Sequence, residues 1–324
     1  MRLEPTLKVI QRCVDLDSIR SVLDIGSNRG YFLRHLAASH PHLELVGIEP
    51  DPFIVDCYRD NPAIELLRTK FENATLNGRS FQLIHSIHTF EHMVSSLVAF
   101  RKAFDVLADG GFLFLEVPRT QRITSATILF EYFIDNHLFH FTRGTIRNYL
   151  SLFDFELLHE ETEDQDNLTF LLRKRSGTVR SPDRATMCNE FVQNLQMVRG
   201  YEERRGRNLA ALKKVGRKIN DFVGRHRVAI WGASRIFDIL CRYGALDLDR
   251  VVAVVDKYLC DYVAVVNGIR IQKPDSLSPQ VVDSVIVCSD AYYEAIKTEA
   301  RELLGQNVSV HHYTDFFQAS RLAA

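Results

Sequence analysis

Short apolar runs alternate with helical patterns along the first part of the chain. Runs of strand length occupy 21–26, 43–50, 64–69, 81–87 and 111–118. Between them, apolar residues recur every three to four positions, as in YFLRHLAASH, which predicts helices over 31–40, 52–60 and 95–107. This alternation of strands and helices predicts an α/β fold with a mainly parallel sheet covered by helices.

The segment after this sheet is expected to add an antiparallel edge. HFTRGTIRNYLSLF (140–153) has helical spacing. FELLHEETEDQDNLTFLLRKR (155–175) predicts two strands on either side of an acidic loop, which fits strands paired antiparallel at one edge. SGTVRSPD (176–183) is predicted to be a loop.

A second, smaller α/β pattern follows a long polar segment. Residues 184–222 have helical spacing broken by glycines at 200, 206 and 216. Strands are then predicted within 226–234, 250–256, 268–277, 284–290 and 308–313, with helices after the first of them and over 291–304. The predicted domains are 1–175, a helical connector over 176–224, and a C-terminal domain over 225–324.

Charge and length limit the partners of the chain. The net charge of its 324 residues is −1 and the pI is about 6.9, so no overall field attracts nucleic acid or an anionic membrane. No apolar run approaches the ~20 residues of a membrane span. At the N-terminus, Leu3, Leu7, Ile10 and Val14 have the spacing of a docking helix rather than of a signal peptide. We therefore expect no nucleic-acid partner and no membrane span.

Two further features of composition bear on location and ligands. The six cysteines are scattered, with no CxxC pair, which favours a reducing cytoplasm and no metal cluster. The segment 199–227 is rich in Arg and Lys and poor in acids. It is either a solvated connecting helix or a basic wall that faces an anionic substrate.

A glycine-containing turn follows the first predicted strand. The strand ends at Asp24 and Ile25, and the chain continues Gly26-Ser27-Asn28-Arg29-Gly30. A dinucleotide site of the type GxGxxG would need glycine where Asn28 and Tyr31 stand. The spacing GxGxG is interrupted only at Asn28, a residue type that tolerates a left-handed backbone. This turn therefore suits a nucleotide-like ligand without a pyrophosphate.

These residues resemble the first motif of the class I S-adenosylmethionine-dependent methyltransferases, an acid followed by GxGxG. The resemblance covers roughly residues 20–172. VGIEPD places Glu49 nineteen residues past Gly30, and FQLIHSIHTFEHM (81–93) and ADGGFLFLEVP (108–118) match the fourth and fifth strands of that family. The resemblance implies a Rossmann-like methyltransferase sheet, S-adenosyl-L-methionine as cofactor and methyl transfer as the activity.

The resemblance also implies roles around the cofactor. Asp24 would meet the methionine ammonium, and Glu49 the ribose hydroxyls. Phe71 either lies against adenine or packs in the core. His88 would lie near the sulfonium as a neutral imidazole or through its backbone carbonyl. The turn residues that would give the cofactor clearance are Gly26, Asn28 and Gly30.

Candidate acid and base residues lie in two loops at one end of the sheet. They are Glu91 with His92, and His137 with His140. We interpret them as the source of a general base, with one of them serving in packing or as a hydrogen-bond brace. A zinc site is the less favoured interpretation, because the spacing is loose and the fold needs no metal. No metal is therefore expected.

The second α/β pattern, over roughly 210–315, resembles the C-terminal domain of sugar C-methyltransferases that act on nucleotide-linked keto-sugars. Where that family has HEHLSYFS at its active site, this chain has DNHLFHFT (135–142), with His137 at the histidine position and Asn136 in place of the acid. The pattern HL followed by HFT also occurs in O- and N-methylating relatives, so the acceptor atom stays open. The N-terminal cysteine-rich zinc segment of that family has no counterpart here.

In this second domain, a turn after the first strand is the candidate substrate site. Gly232, Ser234 and Arg235 could hold a phosphate on backbone amides and the hydroxyl, and Asp256 could bind a sugar hydroxyl. NAD is disfavoured because the turn contains a single glycine. The alternative is a degenerate module that serves as a scaffold or as the surface of a homodimer.

Three functions remain open from the sequence. The first is a cytoplasmic methyltransferase of polysaccharide biosynthesis, acting on a nucleotide-linked sugar or a glycan. The second is an O-methyltransferase for a small or lipid-linked molecule, with a structural second domain. The third is a non-catalytic protein with two nucleotide-binding modules.

Overall fold

The computed structural model describes residues 3–52, 54, 61–76, 78–120, 137–162, 167–179, 184–290 and 292–317. The chain forms two compact units, and the division between them falls between Val198 and Arg199, inside the segment predicted to connect the domains. The helix predicted over 52–60 lies largely outside the described residues, as does Asn136. Across the described ranges, no helix combines the length and apolar character that a membrane span needs.

The first unit is built on a seven-stranded sheet. Its strands are β1 (Ser21–Ile25), β2 (Glu44–Ile48), β3 (Ile64–Leu67), β4 (Phe81–Ile87), β5 (Leu107–Pro118), β6 (Phe153–Glu160) and β7 (Asn167–Val179). They lie in the order β3-β2-β1-β4-β5-β7-β6. The first five strands are parallel, and β7 pairs antiparallel with both β5 and β6. The predicted α/β class and its antiparallel edge are confirmed.

Amphipathic helices cover this sheet. They are α1 (Leu3–Gln11), α2 (Tyr31–Ser39), α3 (Ser96–Val106) and α4 (Arg143–Ser151). Leu7 and Ile10 of α1 are buried in one core cluster with residues of β1 and α2, so the predicted docking helix is confirmed. Ser95 caps α3, and Thr142 caps α4 through a reciprocal bond with Thr145.

The second unit has a six-stranded sheet in the order β10-β11-β9-β8-β12-β13. Its strands are β8 (Val228–Trp231), β9 (Ala253–Val255), β10 (Val265–Val266), β11 (Ile269–Gln272), β12 (Ser284–Val287) and β13 (Ser309–His312). All pairings are parallel except β10 with β11. The helices are α5 (Arg184–Val223), α6 (Arg235–Gly244) and α7 (Tyr293–Leu304). This is the second, smaller α/β sheet that the sequence predicts.

Strand β7 and helix α5 differ from the sequence-based expectation, and β5 begins at Leu107, earlier than the predicted strand. Strand β7 continues to Val179 and pairs there with Phe153, so the first residues of the predicted loop 176–183 belong to the sheet. Helix α5 is one continuous helix of 40 residues, so the glycines within it do not break it. Of these, Gly206 has open space around it, whereas Gly216 packs against the backbone of α6.

Candidate active site

The turn after β1 has the left-handed geometry that its sequence predicts. Gly26, Asn28 and Gly30 have φ angles of 76°, 47° and 66°, respectively. A Cβ atom on Gly26 would lie 2.0 Å from the Thr89 hydroxyl oxygen, so the close approach of the chain also requires glycine. The predicted left-handed backbone of Asn28 is confirmed. Gly30 then begins α2 as its N-terminal cap residue.

Glu49, directly after β2, holds this turn in place. Its side chain is 7% exposed, and one carboxylate oxygen accepts the Asn28 amide at 2.9 Å while the other accepts the Asp51 amide at 3.0 Å. A carboxylate has about four acceptor positions, so two remain for a ligand. Glu49, the acid expected to bind the ribose hydroxyls, therefore also connects the segments that follow β1 and β2 through hydrogen bonds.

Asp24 is paired with a histidine that the sequence analysis did not single out. His85 Nδ1 lies 2.6 Å from Asp24 Oδ1, and both side chains are buried. The His85 ring stacks on Phe32 at 3.9 Å between centroids and lies 5.4 Å from the Phe114 ring. Asp24 and His85 are direct neighbours in the parallel register of β1 and β4. The aromatic stack and the hydrogen bond together fix the orientation of the Asp24 carboxylate.

A cavity of about 480 Å³ opens at the carboxyl ends of β1, β2 and β4. The predicted site residues that line it are Asp24, Gly26, Asn28, Glu49, His88 and His92. Others, which the sequence did not indicate, are Leu3 and Thr6 of α1, Tyr31, His85 and Thr89. The predicted residues that do not line it are Gly30, Phe71, Glu91, His137 and His140. Its position at the carboxyl edge of a parallel sheet is where α/β folds bind ligands.

Phe71 packs in the core, which is one of the two alternatives that the sequence left open, and its side chain does not line the cavity. It is 2% exposed and belongs to the main apolar cluster of the first unit. The Lys102 ammonium lies 5.0 Å from the ring centroid and donates to the carbonyl oxygens of Phe71 and Ala74 at 2.6 Å. These contacts fix the short turn after β3 and leave the ring no access to the cavity.

His88 differs from the neutral imidazole that was one of the two alternatives expected for it. Its Nε2 lies 3.4 Å from Glu116 Oε1, and its Nδ1 lies 3.5 Å from Glu91 Oε1. Burial lowers the pKa of His88, but the carboxylates of Glu116 and Glu91 raise it by more, to about 9. The ring is therefore a cation at neutral pH. Its backbone is also left-handed, with a φ of 50°, which is uncommon for a residue other than glycine.

The predicted acid and base residues of the two loops come together. Glu91 and His92 lie on a short 3-10 turn, Phe90–His92, and the Phe139 amide donates to the Glu91 carbonyl at 3.0 Å. The rings of His92 and His137 lie 4.8 Å apart edge to face, and those of His137 and His140 lie 6.0 Å apart. Burial, followed by the proximity of His137, lowers the pKa of His140. The sequence placed these residues in two loops at one end of the sheet, and the structure brings their side chains into contact.

In the second unit, the Asp256 carboxylate accepts backbone amides near the turn after β8, as the Glu49 carboxylate does near the turn after β1. Asp256 accepts the amides of Ala233 at 3.1 Å, Tyr258 at 3.1 Å and Leu259 at 2.9 Å. Gly232 has a φ of 104°, and a Cβ there would lie 3.0 Å from the Cys288 carbonyl oxygen. Ser234, the N-terminal cap residue of α6, makes no side-chain capping bond, and both Ser234 and Arg235 are exposed.

Two buried partners of the site went unnoticed in the sequence, His85 and Glu116. Both are ionisable residues inside otherwise apolar strands, FQLIHSI and GFLFLEVP. Glu116 is 5% exposed and accepts a hydrogen bond from the Thr169 hydroxyl at 2.9 Å. An ionisable residue within a buried strand is a usable signal, because such residues are seldom buried without a partner.

Comparison with known proteins gives a family match for part of each unit. Residues 2–160 match a family described as a methyltransferase domain. Residues 224–309 match a family described as C2185-like, N-terminal. A search of curated proteins found no match.

Several solved structures are similar to the first unit. The plantazolicin methyltransferase BpumL, solved with a triazolic desmethylPZN analog and SAH, has 14% identity and a TM-score of 0.43, covering 53% of this chain and 83% of that one. An S-adenosylmethionine-dependent methyltransferase from Mesorhizobium loti has 18% identity and a TM-score of 0.42, covering 52% and 96%. Residues 961–1257 of the StiE O-MT have 15% identity and a TM-score of 0.44, covering 54% and 75%.

Proposed function

We propose that this protein is a class I S-adenosylmethionine-dependent methyltransferase that transfers a methyl group to a sugar, either nucleotide-linked or part of a glycan. Residues 2–160 match a methyltransferase domain family, which supports the transfer of a methyl group. The observation that carries the proposal is the cavity at the carboxyl ends of β1, β2 and β4, which is lined by both Asp24 and Glu49. An acid for the amino-acid end and an acid for the ribose end of one ligand suit S-adenosyl-L-methionine.

The residues of the cavity fit this cofactor. Asp24, oriented by His85, would accept from the methionine ammonium, and the free acceptor positions of Glu49 would take the ribose hydroxyls. The left-handed turn at Gly26 and Asn28 keeps side chains away from the ligand. When bound, the cofactor supplies an electrophilic methyl group on a sulfonium. The protein holds that group in line with the acceptor, an alignment worth up to ~7–11 kcal/mol of the barrier in favourable systems.

A histidine of the loop cluster would take the proton of the acceptor. His137 is the first candidate, because it stands at the histidine position of the sugar methyltransferases, and His92 and His140 lie beside it. An imidazole is suited to this task at neutral pH. The support for a base in this place is the convergence of three imidazoles and Glu91 next to the cavity, of which His92 is part.

The second unit would hold the carrier of the sugar. The N-terminus of α6 offers backbone amides to a phosphate, and the exposed Ser234 and Arg235 add a hydroxyl and a cation. Asp256 would take a sugar hydroxyl on its remaining acceptor capacity, since three amides already occupy part of it. A nucleotide diphosphate sugar has both groups.

Cofactor binding is tested by thermal unfolding with S-adenosylhomocysteine. Ligand at 100 times its dissociation constant should add ~2.7 kcal/mol of stability. The substitution Glu49→Gln should remove most of this gain, whereas Glu44→Gln, at the other end of β2 and outside the cavity, should keep it. No gain with the unaltered protein would exclude methyl transfer by this site.

The sugar proposal is tested with nucleotide diphosphate sugars in the same assay. Stabilisation that is lost in Ser234→Ala and Arg235→Ala, but kept in Arg242→Ala near the other end of α6, is the expected result. If S-adenosylhomocysteine stabilises the protein and no nucleotide sugar does, the acceptor is a different molecule and the second unit is a scaffold.

A further inference from the structure

We propose that Glu91, His92 and His137 bind a divalent transition-metal cation, with zinc as the best match, beside the cofactor cavity. One potential ligand atom from each of these side chains lies within 4.8 Å of the other two. His92 Nε2 is 3.9 Å from Glu91 Oε1, and the two histidine rings meet edge to face. The backbone bond from Phe139 to Glu91 joins the two loops that carry the ligands.

An independent observation, the burial of Glu91 without a hydrogen-bond donor, supports a cation site at this place. Its side chain is 1% exposed, and neither carboxylate oxygen accepts a hydrogen bond from any described residue. Removing a carboxylate from water is unfavourable unless charges and donors compensate it. The ion pair with His88 is shared with Glu116, so it offsets only part of this cost. A cation between Glu91 and the two imidazoles would complete the compensation.

The donor set selects the kind of cation. Two imidazole nitrogens and one carboxylate oxygen suit zinc and similar transition metals, whereas magnesium prefers a full set of oxygens. Three protein ligands are also typical of catalytic zinc, which keeps a further position for water or substrate. The residues lie on two segments separated by more than forty positions, which is why their spacing gave no motif.

The role of the cation rests on the proposed function and narrows its acceptor to a hydroxyl group. A Lewis acid at this place would bind the hydroxyl oxygen and lower its pKa, so that the proton leaves to solvent. The oxygen lone pair then forms the new C–O bond while the S–CH3 bond breaks, and the sulfonium becomes a neutral thioether. In this arrangement the cation, rather than His137 as a base, activates the acceptor.

The experiment measures zinc in the full-length protein after removal of metals with a chelator and dialysis against zinc. Glu91→Gln keeps the shape of the side chain without its charge, and His92→Asn removes a ligand from an exposed ring. The matched control is His40→Asn, because His40 Nε2 is also 3.9 Å from a carboxylate, that of Asp17, but this acid is 85% exposed. Cobalt in place of zinc adds a visible spectrum that does not depend on activity.

We expect one zinc per chain in the unaltered protein and in His40→Asn. Loss of a direct ligand should weaken binding by more than the ~10–100-fold typical of residues that only support a ligand. Equal zinc content in the unaltered protein and Glu91→Gln would overturn the site, and if Glu91→Gln fails to fold, His92→Asn decides. If the protein binds S-adenosylhomocysteine but does not bind zinc, the metal site alone is contradicted. If it binds zinc but does not bind S-adenosylhomocysteine, the methyltransferase proposal alone is contradicted.

Discussion

Gly26 is required for two separate physical reasons. Its φ of 76° is unfavourable for other residues, and its Cα lies so close to Thr89 that any Cβ would overlap the hydroxyl. Gly78 has a similar φ of 71° but nothing within 4 Å of the Cβ position. Substitutions at Gly26 and Gly78 can therefore separate the effect of backbone strain from the effect of steric overlap.

This pair gives a prediction for the cofactor turn. Gly78→Ala should destabilise the protein by about 1–2 kcal/mol through backbone strain alone and leave S-adenosylhomocysteine affinity unchanged. Gly26→Ala should lose more stability and at least about 10-fold in affinity, since displacement of Thr89 deforms the cavity wall. Chemical denaturation and calorimetric titration measure both. Equal effects of the two substitutions would contradict the assigned role of the Thr89 contact.

His85 should affect one end of the cofactor only. His85→Phe keeps an aromatic ring between Phe32 and Phe114 but removes the bond to Asp24. Because charge-assisted hydrogen bonds contribute ~1.5–3 kcal/mol, we expect S-adenosylhomocysteine to bind about 10-fold more weakly. Methylthioadenosine, which lacks the amino-acid portion, should bind as before. An equal loss for both ligands would show that His85 supports the cavity rather than orienting Asp24.

The predictable residues of the site are those whose signal is local in the sequence. Asp24 lies at the end of β1, and Asn28 and Glu49 follow strands at short range, so motif spacing locates all three. His85 and Glu116 enter through the registers of β4 with β1 and β5, which depend on the whole sheet. The charge of His88 could not be predicted either, because it depends on two carboxylates that only the folded sheet brings together.

Among the elements, α5 shows how context overrides a local signal. Glycine in a helix costs about 1 kcal/mol relative to alanine, which is too little to break a helix whose last turns are buried. Leu212, Val215, Ile219 and Val223 pack in the core of the second unit. Gly216 belongs to this buried face because a Cβ there would lie 1.7 Å from the Gly244 carbonyl oxygen. The helix thus needs this glycine for packing rather than for a turn.

Two glycines of the same helix should respond in opposite directions. Gly216→Ala would overlap a backbone atom that no rotamer change can move, and we expect a loss of about 3 kcal/mol or more. Gly206→Ala, in open space, should stabilise the helix by about 0.5–1 kcal/mol. Urea denaturation, followed through the signal of Trp231 in the second unit, measures both changes in stability. A stable Gly216→Ala variant would contradict the close packing of α5 on α6.

At the scale of the whole molecule, the order of strands and helices was predictable because each element carries its own periodicity. The division into units was less accessible, since it falls inside a helix that has no break at that point. The hydrophobic periodicity of the second unit gives no indication of which ligand the unit binds. Gly232 and Asp256 repeat the arrangement of the first turn, but their ligand chemistry depends on exposed side chains.

Hydrogen exchange should separate the ligands of the two units. S-adenosylhomocysteine should slow exchange of the amides around Asn28 and Asp51, which Glu49 holds, and leave those around Ala233 unchanged. A nucleotide diphosphate sugar should slow exchange of the amides of Ala233 and Leu259, which Asp256 holds in the second unit.

 Mass spectrometry of peptic peptides measures both effects. Protection of the first unit alone by the nucleotide sugar would contradict a carrier site at the N-terminus of α6.

The bond between Glu49 and the Asn28 amide has a kinetic consequence. Because residues of the protein itself hold the turn in its left-handed form, little ordering has to follow the first encounter with the cofactor. Association should then proceed in a single phase, with an observed rate that rises in proportion to ligand concentration and does not level off. The residence time of the cofactor, rather than its rate of arrival, would then set the differences in affinity between variants of this pocket.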